Sequence, residues 1–100
     1  PLYQVTLQLK TSDAEGGGME QKLNRIRAIK GVTVVSHEES SDLMGADIID
    51  AKIKFHPESD AMRPATYVTQ ILIPIINNSK FVPGVPVIDI VSGSLKRLDK

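Results

Sequence analysis

Two histidines, a set of carboxylates around one turn, a triple glycine and an N-terminal proline are the residues of this chain whose types could do chemistry. His37 closes a β-rich segment and His56 follows another. A hairpin centred near Asp42 and Leu43 would set His37 opposite Ile48 and His56 opposite Ile29. The two imidazoles would then lie about 25 Å apart at about 3.3 Å per residue, too far to share a metal. Each is read as a solvated strand-end side chain with a carboxylate nearby: Glu38, Glu39, Glu58 or Asp60. Glu38, Glu39, Asp42 and Asp47 lack the alternating spacing, central glycine and distal glutamate of a calcium loop.

The segment 11–18 (TSDAEGGG) enters a helix, whose first free N–H groups and dipole favour anions. Asp13, Glu15 and Glu20 oppose that, and no Lys-Ser/Thr pair follows as in a phosphate-binding loop. Gly16, Gly17 and Gly18 are therefore the candidate positions for contact with a small ligand through exposed backbone. Lys22, Arg25, Arg27 and Lys30 are all basic but spread around their helix, which reads as a solvated face rather than a nucleic-acid stripe.

These residues must be positioned by elements that the periodicity outlines. Tyr3, Val5, Leu7 and Leu9 alternate with Gln4, Thr6, Gln8 and Lys10, the pattern of a half-buried strand. Met19, Leu23, Ile26 and Ile29 form one helical stripe, with Lys30 and Gly31 as its C-terminal signal. Residues 32–37 (VTVVSH) are β-branched and predict a second strand; 38–45 are a polar connection, and 46–55 predict a third, with Ile49, Ala51, Ile53 and Phe55 facing inward. A second helix is expected from Ala61 or Pro64 to Asn78, kinked or ended by Pro74. Residues 85–91 predict a last strand, held at a sheet edge by Pro86.

The order is β-α-β-β-α-β, and residues 29–35 echo 82–88 where each helix returns to a strand. The expected fold class is thus α+β: a ferredoxin-like sandwich, one domain over residues 1–100, with a four-stranded antiparallel sheet and both helices on one face. At 100 residues, 41% hydrophobic and 24% charged, the chain can bury a core without staples. It has no cysteine, which removes thiolate nucleophiles, disulfides and cysteine-ligated zinc. Twelve basic residues balance twelve acidic ones, so net charge points to no polyanion or membrane surface. No run approaches the about 20 apolar residues of a membrane span, and no signal peptide is expected.

The open sheet face would carry Gln4, Thr6, Gln8, Lys10, Asp50, Lys52 and Lys54, without the aromatic rings on which single-stranded RNA stacks. That polar face also argues against a dimer made by stacking two open sheets, leaving association through a helix or a sheet edge.

The two turns Lys30-Gly31-Val32 and Pro83-Gly84-Val85 resemble those of ferredoxin-like regulatory modules, the ACT and heavy-metal-associated domains among them. The metal-binding version needs a cysteine pair that is absent here. The ACT-like version implies paired modules with a small ligand near the loop after the first strand, Asp13 to Met19 in this chain. Residues 49–60 and 93–100 also resemble small proteins of T4-like phages, which attaches no activity to any residue. The opening Pro1-Leu2-Tyr3 resembles the tautomerase superfamily, whose amino-terminal proline is the general base; this implies Pro1 as catalyst, although no partner arginine can be matched among Arg25, Arg27 and Arg63.

The expectation is a cytoplasmic, non-enzymatic interaction or regulatory module, self-associating as a homodimer, with a small ligand near the Gly-rich loop. No cofactor, catalytic residue, metal, membrane or nucleic-acid partner is expected. A small proton-transfer enzyme using Pro1 is the alternative, followed by weak nucleic-acid binding.

Overall fold

A computed structural model describes residues 1–10, 18–41, 43, 47–57, 62–76 and 88–99. Along the chain lie β1 (Tyr3–Lys10), α1 (Gly18–Arg27), β2 (Val32–Ser41), β3 (Asp47–Phe55), α2 (Pro64–Tyr67), a π-helical turn (Val68–Leu72), α3 (Ile73–Ile76), β4 (Ile88–Ile90) and β5 (Lys96–Arg97). The molecule is α+β. Its antiparallel sheet runs β2-β3-β1-β4, with β5 also pairing β1.

The alternation in β1 becomes burial. Val5, Leu7 and Leu9 are fully buried, as are Ala51, Ile53 and Phe55 on β3, because Leu7 lies opposite Ala51 and Val5 opposite Ile53. Leu23 and Ile26 of α1 join this cluster with Tyr67, Val68, Leu72 and Ile76 of the second helical stretch. All of them meet the same side of the sheet, and among the described residues no helix covers its other face.

The α+β expectation with an antiparallel sheet is met, but the simple ferredoxin-like β-α-β-β-α-β order is not matched. The structure has a fifth short strand, and its helices and strands differ from the sequence reading at three places. First, the 38–45 connection is largely strand: β2 runs ten residues to Ser41. A bulge shifts the register between Val34 and Ser36, leaving Val35 as the extra residue. His37 therefore faces Ala51, not Ile48.

Second, Pro74 neither ends nor breaks the helix. It is preceded by the π-helical turn, where Ile73 N–H reaches Val68 O rather than the carbonyl four residues back. The wider turn makes room where a proline ring would crowd the preceding turn. It also moves the phase of the buried stripe to Val68, Leu72 and Ile76, while Ile75 is 45% exposed. The end expected at Asn78 lies outside the described residues.

Third, the last strand is Ile88–Ile90; the earlier part of the expected segment, including Pro86, lies outside the described residues. Three steps along β1 from Leu7 to Gln4 oppose six along the edge from Ile90 to Lys96. The surplus is taken up in a turn with Gly93 at φ 77°, a left-handed conformation that side chains disfavour.

Candidate functional site

The register sorts the open face into rows. Lys96, Gln4, Lys54 and Thr33 lie side by side across β5, β1, β3 and β2, followed by Thr6, Lys52 and Ser36. The next row is Asp89, Gln8, Asp50 and Glu38. One end of the face is therefore cationic and the adjoining part anionic. Glu38 directly opposite Asp50 is an unfavourable like-charge pair; Gln8 Nε2 donates to Asp50 Oδ1 at 3.2 Å and satisfies one of its oxygens.

The rings lie on the other side. Tyr3 stacks on Phe55 with centroids 5.8 Å apart, and Phe55 stacks on Tyr67 at 5.6 Å. Among the described residues the open face carries no aromatic side chain, so the stacking platform of an RNA-binding sheet is missing there.

The register also corrects the histidine geometry. His37 is level with Ala51, five residues from His56, so their strand levels differ by about 17 Å rather than about 25 Å. They still cannot share a metal, because His37 belongs to the helix side of the sheet and His56 to the open side. No group of three or more histidine, aspartate or glutamate side chains suited to a metal occurs among the described residues. His56 instead places Nδ1 3.0 Å from Pro1 O; since a carbonyl only accepts, Nδ1 carries the proton. Pro1 itself is exposed, unlike a base enclosed in an apolar pocket.

Of the ligand positions expected at the Gly-rich loop, Asp13, Gly16 and Gly17 lie outside the described residues, while Gly18 and Met19 open α1. Of the basic residues on that helix, Arg25 Nη1 donates to Ile76 O at 3.2 Å, placing a cation at the carbonyl end of the second helical stretch. Arg27 Nη1 donates to Asn24 Oδ1 at 3.2 Å. Both guanidinium groups make contacts within the fold.

Two features are available to a partner, and sequence reasoning missed the length of the first and the whole of the second. The outer edge of β2 is one: it is the end of the sheet, ten residues long, and every residue from Val35 to Ser41 is exposed. Its signal was hidden because exposed S-H-E-E-S-S carries no apolar alternation. The other is a corner of the open face where Gly31, Thr33, Lys54 and His56 meet.

No protein-family model matches the chain, and no curated protein matches it. No described helix is long and apolar enough to cross a membrane.

Proposed function

We propose that the chain is a ferredoxin-like, non-enzymatic interaction module that pairs with a second copy of itself by extending its sheet through β2. The central places of β1 and β3 in the antiparallel sheet, with a helix after β1 and a helical stretch after β3, support the fold name. The observation that carries the pairing is the outer edge of β2, which no other described strand pairs and whose N–H and C=O groups form a ready template for another strand. The opposite edge is interrupted between β4 and β5 and offers no such run.

Charge selects the register. Antiparallel pairing centred on His37 sets Glu38 opposite Ser36 and Glu39 opposite Val35 of the second copy. No glutamate then faces a glutamate, and Val35, 45% exposed, gains cover.

Light scattering after size exclusion, at high micromolar concentration, tests this reading. A dimer is expected. Val35→Glu sets a carboxylate against Glu39 of the second copy and converts the dimer to monomer. A strict monomer for the unaltered chain overturns the proposal, as does a dimer indifferent to that substitution.

A further inference from the structure

Concave places lined by described residues include the following three. A broad groove of about 440 Å3 runs between Arg25, Ala28, Ile29, Lys30 and Ile75. Its arginine is already engaged at Ile76 O, and nothing in it selects one occupant. A cleft of about 140 Å3 beside Glu39, Ser40 and Asp47 is too small and too acidic for an organic anion. The third lies at the corner of the open face, about 370 Å3, lined by Leu2, Gly31, Val32, Thr33, Lys54 and His56. That volume lies within the range of small-molecule sites, about 300–1,000 Å3.

The sheet register builds this corner. Thr33 is the cross-strand partner of Lys54, as is Gln4 on the other side. His56 follows Lys54 by two residues, so both start from the same face. Continuing the ladders one row further sets Leu2 and Gly31 on either side of His56. Gly31 holds φ 81°, and a Cβ built there would meet nothing within 4 Å, so the backbone borders open space.

The chemistry is one-sided. Lys54 supplies an ammonium whose half-buried stem limits its wandering, and Thr33 supplies a hydroxyl. The bond from His56 Nδ1 to Pro1 O orients the ring and leaves Nε2 as an acceptor, suited to a hydroxyl on the ligand rather than to its anionic oxygens. None of the described lining residues is acidic. The nearby carboxylate of Asp99 accepts from Leu2 N–H at 3.0 Å and from Arg97 Nε at 3.1 Å, so its charge is matched. Lys52 and Lys96 on neighbouring open-face positions extend the positive field. Leu2 offers apolar surface to the remainder of a ligand, while the side chain of Val32 belongs to the core.

We infer that this corner binds a small organic anion, its carboxylate or phosphate head between Lys54 and Thr33 with His56 beside it, and a short apolar body against Leu2. Charge-assisted bonds fix the head, and the apolar wall accounts for selection among anions.

The test is an NMR titration of the full chain with inorganic phosphate and with butyrate, each compared with chloride at matched ionic strength. Both probes are expected to give saturable shifts at the Gly31, Thr33 and Lys54 amides, with butyrate also moving the Leu2 methyls. Lys54→Gln, checked for an otherwise unchanged spectrum, weakens both by about tenfold. Lys10→Gln, at the far end of the same face, leaves them unchanged. Saturation by phosphate without butyrate overturns the apolar body. Equal shifts with chloride, or equal losses in the two lysine variants, overturn the site itself.

Discussion

The amide of Thr6 donates to the hydroxyl of Ser94 at 3.0 Å, across 88 residues of chain. Ser94 Oγ in turn donates to Val91 O at 2.7 Å, and Thr6 O accepts from Val91 N–H at 2.9 Å. A side chain thus stands in for the backbone acceptor that the edge lacks where it bulges between β4 and β5. It keeps a central-strand amide satisfied at a place where the ladder is interrupted.

Ser94→Ala leaves the part-buried Thr6 amide without that acceptor. The expected loss is about 1–2 kcal/mol of stability, measured by urea denaturation. A change within experimental error would mean that water replaces the hydroxyl at no cost. Hydrogen exchange at Thr6 should accelerate in the same variant, while exchange at Leu7 and Leu9 follows the global stability.

The phase of the second helical stretch makes a paired prediction. Ile76→Ala removes a fully buried side chain and should cost about 2–5 kcal/mol. Ile75→Ala removes one that is nearly half exposed and should cost under about 1 kcal/mol. An uninterrupted α-helix, seven residues on from Val68, would return Ile75 to the buried face. Equal costs for the two variants would therefore argue that the π-helical turn is absent in solution.

Asp99 ties the end of the chain to its beginning. The hydrogen bond from Leu2 N–H, followed by that from Arg97, holds its carboxyl below the ordinary aspartate range. The folded form therefore binds this proton less readily than the unfolded chain. Its stabilising contribution is fully present above the unfolded pKa of about 3.9 and fades as pH falls through the lower folded value. Carbon-detected NMR titration should give Asp99 a midpoint below that of a free aspartate, and Asp99→Asn should flatten this part of the acid-stability profile. An unshifted midpoint would refute the assignment.

Legibility followed burial. Tyr3 to Lys10 could be read residue by residue, because one face is wholly apolar and becomes core. The same holds for Ile49 to Phe55, and Gly31, placed by its position after a helix, does adopt the left-handed conformation. The second half of β2 was illegible, since both of its faces remain in water and nothing in its side chains records the pairing. Pro74 announced a disturbance but not its form; sequence offered a kink or a break, and the chain uses a wider turn. The corner around Lys54 and His56 could not be found from spacing. Its members come from separate segments, and an assumed hairpin centre only slightly displaced assigns both histidines the wrong partners.

The stack of Tyr3, Phe55 and Tyr67 has a spectroscopic consequence. The chain has no tryptophan and two tyrosines, and both stand in this stack, one on the sheet and one on the second helical stretch. Near-ultraviolet dichroism from the phenol rings is therefore a built-in gauge of whether that helix is docked, readable without any label and unobscured by indole absorption.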